Sequence, residues 1–85
     1  MSTSDELSAD ELRAIEARVN ATTPGPWRSI IEGRDQDSGS SFITTEGEDI
    51  YLSGATDADQ DFIAHARQDI VRLLAEVRRL SALHK

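Results

Sequence analysis

The sequence predicts an α+β domain whose elements follow the order α-β-β-β-α-α. Three observations predict it: a capped helix near the N-terminus, a middle region rich in β-branched and aromatic residues, and a periodic apolar pattern toward the C-terminus. We expect the strands to form a three-stranded antiparallel meander, with the N-terminal and C-terminal helices packed on one of its faces. Residues 1–8 are expected to form a frayed segment and residues 9–85 a single small domain.

The first helix is predicted to run from Ala9 to Ala21. Ser8 and Glu11 have the spacing of a capping box, in which each side chain bonds the backbone N–H of the other residue. Leu7 and Leu12 occupy the two positions of a hydrophobic staple. Only a narrow apolar stripe follows at helical spacing, so this helix must pack on another element to persist.

A proline-rich corner, Pro24-Gly25-Pro26-Trp27, follows the first helix. Proline lacks a backbone N–H and restricts the residue before it to extended conformations, so the corner is expected to end the helix and direct the chain into the sheet. Trp27 is expected to seal the helix against that sheet. A ligand-binding clamp built from the same four residues is the alternative.

Three strands are predicted after the corner, at Trp27–Glu32, Ser41–Thr45 and Asp49–Ser53. A polar loop over residues 33–40 separates the first two, and residues 46–48 form a tight hairpin between the second and third. Ile50 and Leu52 are expected on the buried face of the third strand, with Tyr51 on the other face. The pattern leaves open whether Ile30 or Ile31 points inward.

Two helices are predicted in the C-terminal third. The first begins near Asp57, and Asp69 is predicted to cap a second helix after a break near Arg67-Gln68. The second helix is predicted over residues 70–83, with one apolar arc. Within that arc, four residues also have the 3-4-3 spacing of coiled-coil a and d positions, which predicts self-association into a homodimer as an alternative to burial in the core. These residues are Ile70, Leu73, Val77 and Leu80.

Charge and composition exclude several classes of function. The chain has 85 residues, no cysteine and a net charge of −7, which excludes disulfides and cysteine-based zinc sites. Residues 1–61 carry a net −10 and residues 62–85 a net +3. No apolar run is long enough to span a membrane, and the N-terminal residues do not resemble a secretory signal. We therefore expect a cytoplasmic location.

Candidate metal and catalytic residues do not form a convincing site in the sequence. Asp35, Asp37 and Glu46 match positions 1, 3 and 12 of a calcium loop, but Ser40 stands where that loop requires glycine. Three alternating acids, Asp57, Asp59 and Asp61, would diverge by about 200° on a helix. No phosphate-binding loop is present. The sequence therefore predicts no enzyme activity, no cofactor and no metal.

Nucleic acid is an unfavoured partner for so acidic a chain, because nucleic-acid affinity comes largely from Lys and Arg on phosphates. Weak DNA binding by the basic C-terminal helix is still an alternative. Its candidate residues are Arg67, Arg72, Arg78, Arg79 and Lys85. A second alternative is that the acidic surface mimics nucleic acid and occupies a protein that binds DNA or RNA.

Two motifs together resemble a known family. The corner TPGPW and the tail DFIAHARQDIVRLLAEVRRL are similar to those of the Ead-like early proteins of temperate phages and of related short actinobacterial proteins. The matching residues are Ala21, Thr23 to Trp27, Phe62 to Ala64, Ala66, Ile70, Leu73, Leu74, Glu76 and Leu80. The family often has proline or asparagine near positions 67–69, where this chain has Arg67-Gln68-Asp69. The resemblance implies a phage-type accessory protein that acts by binding an unidentified host or phage protein.

Overall fold

Two helices and a two-stranded sheet make up the fold in the computed structural model, which describes residues 6–83. The element order is α1 (Ala9–Asn20), β1 (Arg28–Ile30), β2 (Phe42–Thr44) and α2 (Asp57–Leu83). The α+β class is confirmed. The three-stranded meander and the three separate helices are wrong.

Helix α1 begins at the predicted capping box. The Ser8 N–H donates to Glu11 Oε1 at 2.9 Å, and the Glu11 N–H donates to Ser8 Oγ at 3.1 Å. The helix ends at Asn20, where the Thr22 hydroxyl and N–H both bond the carbonyl of Val19. Of the segment predicted to fray, residues 1–5 lie outside the described residues, whereas Ser8 caps the helix.

Strands β1 and β2 form an antiparallel pair in which Ser29 lies opposite Ile43. Ile43 is 0% exposed, the only large side chain among the described residues to be completely buried. Ile31, at the end of β1, is also buried, so of the two neighbouring isoleucines it is Ile31 that points inward. The core therefore lies under a sheet of only two short strands.

The predicted third strand reduces to one bridge. Ile50 exchanges both backbone hydrogen bonds with Ile43, at 2.8 and 2.9 Å, and the pairing extends no further. Gly54 adopts a φ of 82°, which turns the chain away from the sheet within four residues of Ile50. Tyr51 is exposed, while Ile50 and Leu52 are half-buried. These residues therefore alternate between the two faces as predicted, although they do not form a strand.

Helix α2 is continuous through the predicted break. No proline or glycine interrupts Asp57–Leu83, so the backbone meets no obstacle at Arg67-Gln68. Asp69 is an exposed residue inside the helix and does not cap it. The cap is Thr56, whose hydroxyl accepts from the Asp59 N–H at 3.0 Å while Asp59 accepts from the Thr56 N–H. One 27-residue helix therefore replaces two shorter ones.

The N-terminal half of α2 packs on the sheet through amide and small side chains. Ala64 is completely buried, and Gln60 is 4% exposed. The Gln60 Nε2 group lies within 3.2 Å of three acceptors: Ser29 Oγ, the Ile30 carbonyl and the Phe42 carbonyl. Gln60 thus joins both strands to α2.

Helix α1 packs on the C-terminal half of α2 and not on the sheet, contrary to the prediction that both terminal helices share a sheet face. A sheet of two strands is narrow, and the first half of α2 already covers it. The two helices run antiparallel, since Arg67 bonds the Thr22 hydroxyl at 2.7 Å and Arg78 bonds Glu16 at 2.6 Å.

Trp27 is held mainly through its backbone. Gln68 of α2 accepts from the Trp27 N–H at 2.7 Å and donates to the Trp27 carbonyl at 3.0 Å. The indole is half-buried, and its N–H donates to the Thr23 carbonyl at 2.9 Å. That the ring seals α1 against the sheet stays a prediction.

We expect Trp27→Ala to lower the free energy of unfolding by about 2 kcal/mol, less than the roughly 3–5 kcal/mol typical of a tryptophan in a core. The reason is that part of the ring already contacts water in the folded protein. Urea denaturation at fixed protein concentration measures the change. A loss of about 5 kcal/mol would mean that the ring is a main core residue.

Candidate interaction surface

An apolar groove runs between α1 and α2. Leu7 precedes α1, and Leu12 and Ile15 lie on it; α2 contributes Ile70, Leu73, Leu74 and Val77. The groove has a volume of about 290 Å³, and every one of these seven residues is apolar. Leu7 and Leu12, the predicted staple pair, both line it. The groove is therefore a candidate site for an apolar ligand or a partner protein.

The packing of α1 on α2 partly covers two of the four residues predicted for self-association and leaves the other two exposed. Ile70 and Val77 are half-buried beside α1. Leu73 is 59% exposed and Leu80 is 44% exposed, although both are large apolar side chains. Three of the four line the groove, and Leu80 lies two helical turns beyond Leu73 on the same side of α2. The predicted set is thus one surface, partly covered by α1.

The continuous helix extends this surface toward the N-terminus of α2. Ile63 and Ala66 continue the 3-4 spacing of the four predicted residues without a gap. Phe62, beside them, is one of the most exposed apolar side chains described. The sequence interpretation missed Ile63 and Ala66 because it placed a break after them. The lack of proline and glycine between residues 57 and 83 could have revealed them.

Charged side chains close the opposite edge of the α1–α2 contact. Arg78 bonds both carboxylate oxygens of Glu16, at 2.6 and 3.0 Å. This hydrogen bond from Arg78 lowers the pKa of Glu16 below its usual value. Asn20 and Val19 lie along the same edge. Of the two edges, only the groove edge therefore presents a purely apolar surface.

The proline-rich corner lines a second, more open cavity of about 570 Å³. Pro24, Gly25 and Pro26 face α2 there, opposite Gln68 and Val71. A Cβ on Gly25 would lie 3.2 Å from Gln68 Oε1, so glycine leaves room for the amide that holds Trp27. The corner residues thus have a structural task, positioning the chain against α2, and whether they also clamp a ligand stays a hypothesis.

An ion-pair cluster fastens the loop after β1 to α2. Arg34 makes two hydrogen bonds to Asp61, at 2.8 and 3.1 Å, and also bonds Asp35. Asp35 in turn accepts from the Ile31 N–H at 2.9 Å. These bonds to Arg34, helped by the Ser29 hydroxyl, lower the pKa of Asp61 to about 2. Two acids considered as metal ligands therefore serve as structural partners of an arginine.

This cluster makes the free energy of unfolding depend on pH in the acid range. The pKa of Asp61 is lower in the folded protein than the roughly 3.9 of an unfolded aspartate. Its contribution to the free energy of unfolding is therefore fully present above about pH 4 and is lost as the pH falls toward about 2. We expect Asp61→Asn to flatten that fall in the free energy of unfolding. Urea denaturation across this pH range tests it, with Asp37→Asn as a control for loss of one charge. An unchanged slope in Asp61→Asn would contradict the assignment.

The other candidate residues do not converge. Asp59 caps α2, and His65 Nδ1 lies 2.8 Å from the backbone carbonyl of Asp61. Within residues 6–83, no group of three or more His, Asp or Glu side chains is placed to hold a metal ion. Lys85, one of the candidate residues for DNA binding, lies outside the described residues.

Comparisons with family models, with curated proteins and with solved structures find no match for this chain. The resemblance to the Ead-like early proteins therefore stays a prediction based on the corner and the tail. Neither helix of the described part is both long and apolar enough to cross a membrane.

Proposed function

We propose that this protein is a small, non-catalytic accessory protein of phage or prophage type that acts by binding another protein through the α1–α2 groove. The observation that carries the proposal is the exposure of Leu73 and Leu80 beside a groove lined only by apolar residues. Contiguous apolar surface of this kind costs free energy in water and commonly marks a binding site. The phage-type origin rests on the resemblance of Pro24-Gly25-Pro26-Trp27 and of the α2 sequence.

The shape of the groove favours a helical partner. It lies between two antiparallel helices, and the exposed side chain of Leu80 extends its apolar surface along α2, so a ligand that covers both must be long and apolar along one side. An amphipathic helix meets both requirements, since its apolar residues recur every three or four positions. We therefore propose a helix-in-groove mode of binding, with the charged residues of α2 at the rim.

DNA binding by α2 gains less support. Several of its candidate arginines already have partners: Arg78 bonds Glu16, Arg79 bonds Glu76, and Arg67 bonds Thr22. An arginine paired with a carboxylate contributes less to neutralising phosphate. A gel shift that appears at low salt and weakens steeply as salt rises would restore this alternative.

The acidic-mimic alternative draws on a different surface. Glu46, Glu48 and Asp49 are exposed in the loop before the Ile50 bridge, and Asp57 is exposed at the start of α2. A protein captured by these acids would be basic, and moderate salt would release it. Substitutions in the groove would not change its binding.

The test compares captured proteins from host lysate for three forms of the chain. Wild type should retain a specific protein, identified by mass spectrometry, that the double variant Leu73→Lys/Leu80→Lys loses. Leu83→Lys is the matched control, because Leu83 is 67% exposed on the same helix but does not line the groove. A captured set that is the same for all three forms would count against the proposed function.

A further inference from the structure

We infer that the helix occupying the groove is α2 of a second copy of this chain, so that two copies form a four-helix bundle from their α1 and α2 helices. This inference rests on the proposed function, since it names the occupant of the same groove. Four features of the described residues carry it: the heptad pattern, the size of the face, the charges along its rim and the small core of one copy.

The apolar residues of α2 form an unbroken heptad series. Positions a hold Ile63, Ile70 and Val77, and positions d hold Ala66, Leu73 and Leu80. The residues of α2 that are buried against the sheet and α1 are Gln60, Ala64 and Leu74, which do not belong to this series. Within the series, Ile70 and Val77 are half-buried beside α1, whereas Leu73 and Leu80 are exposed in one copy. β-branched residues at a with leucine at d favour pairing of two parallel helices.

The size of the face matches that of a small, specific interface. From Ile63 to Leu80 the helix rises by roughly 26 Å. With α1 alongside, at the usual spacing of packed helices, the face is about 20 Å wide. Taken as a flat rectangle, the face therefore has an area of roughly 500 Å² in each copy. The two faces together approach the buried area of about 1,000 Å² that is expected of a biological interface.

Charges along the rim are complementary to those of a second copy. In a parallel pair with two-fold symmetry, each α2 lies between two α1 helices. One is the α1 of the same chain, and the other is the α1 of the second copy, which lies along the opposite flank of α2. That flank alternates in sign through Asp69, Arg72, Glu76 and Arg79. On α1, Arg18 lies about 200° around the helix from Glu16. Because Glu16 lies at the charged edge of the α1–α2 contact, Arg18 lies on the side of α1 that faces the groove edge. It is level with the middle of the flank, near the Glu76–Arg79 pair of the second copy, where Glu76 would bond an arginine from each copy.

A single copy has a small core. The buried apolar residues described are Ile31, Ile43, Ala64 and Leu74. Small domains bury a lower fraction of their surface than larger ones, and oligomerisation is one of the ordinary remedies. Covering Ile70, Leu73, Val77 and Leu80 with a second copy would raise the number of buried apolar residues described from four to eight.

Light scattering of the purified full-length chain over a range of about 10 µM to 1 mM tests this inference, because self-association follows mass action. Wild type should approach twice the mass of one 9.3 kDa chain. Leu73→Lys should raise the dissociation constant by about 100-fold or more, since it places two charges in the seam. Leu73 is exposed in one copy, so this variant should keep wild-type circular dichroism. Leu83→Lys should dimerise like wild type.

A charge exchange tests the parallel arrangement. Arg18→Glu should weaken the dimer, and Arg18→Glu combined with Glu76→Arg should restore it. A constant mass of one chain up to the highest concentration would overturn the inference, as would equal weakening by Leu83→Lys. A monomer that still captures a groove-dependent partner from lysate would refute the second copy alone. A dimer whose captured proteins are the same for wild type and for Leu73→Lys/Leu80→Lys would refute binding of a different protein through the groove and leave the second copy as its occupant.

Discussion

Ile43→Ala should lower the free energy of unfolding by about 4 kcal/mol, the largest effect expected of any single truncation in this chain. Ile43 is completely buried at the centre of β2, pairs with Ser29 and bonds Ile50 on its other side. Removing three carbon atoms there leaves a cavity that two short strands cannot close by shifting. A domain of this size has a total stability of roughly 4–13 kcal/mol, so the variant should lose at least about 30% of it.

Two controls separate burial from residue type. Ile43→Val should cost only about 1 kcal/mol, because it removes one methylene from the same place. Ile63→Ala makes the same chemical change on the partly exposed face of α2, and it should cost less than Ile43→Ala. Urea denaturation at fixed protein concentration measures all three. If Ile43→Ala and Ile63→Ala had equal effects, the core would not lie under β2.

Gln60→Leu should lower the free energy of unfolding by about 2–3 kcal/mol, although it replaces a buried polar side chain with an apolar one of similar size. The substitution removes the two N–H groups that Ser29, Ile30 and Phe42 share as acceptors, each worth about 1 kcal/mol in a buried setting, and leaves two buried carbonyls without this donor. Because the Ile30 and Phe42 carbonyls lie on different strands, the loss should also loosen α2 from the sheet.

Gln36→Leu is the matched control for Gln60→Leu. The Gln36 side chain makes one hydrogen bond, to the Ser40 carbonyl at 2.8 Å, in an exposed loop. Its removal should cost less than about 1 kcal/mol. Hydrogen exchange of the β1 and β2 amides gives a second readout, since only the Gln60 change should speed it. A Gln60→Leu variant as stable as wild type would mean that apolar packing offsets the lost bonds.

Elements that depend on local signals could be predicted from the sequence. The capping box of Ser8 and Glu11 needs only residues three apart, and α1 begins where it predicts. The end of α1 before Pro24 and the opposite faces of Ile50 and Tyr51 follow equally local rules. These features do not depend on what packs against them.

Elements that depend on distant contacts could not be predicted. Asp69 has the chemistry of a helix cap, but Gln68 beside it reaches across to the Trp27 backbone, which favours an unbroken helix there. The third strand is reduced to the bridge between Ile43 and Ile50, and no local signal in residues 49–53 shows that the pairing stops there. The role of Gln60 was missed because nothing in its sequence context shows that two carbonyls will lie opposite it.

The candidate surface was predicted in part. The 3-4-3 spacing of Ile70, Leu73, Val77 and Leu80 is a local pattern and identified a face that the structure leaves partly exposed. Its extension to Ile63 required the continuous helix, and its use as one wall of a groove required the antiparallel packing of α1. Spacing alone predicts which residues share a face, and tertiary packing decides how much of that face is covered.

The most direct test of the central claim, that a second copy covers the α1–α2 groove, is the reactivity of a single thiol. The chain contains no cysteine, so Leu73→Cys and Leu83→Cys each provide one reporter on α2. We predict that iodoacetamide modifies Cys at position 73 several-fold more slowly at high than at low protein concentration, while the rate at position 83 stays constant. Equal rates at position 73 at every concentration would contradict the claim.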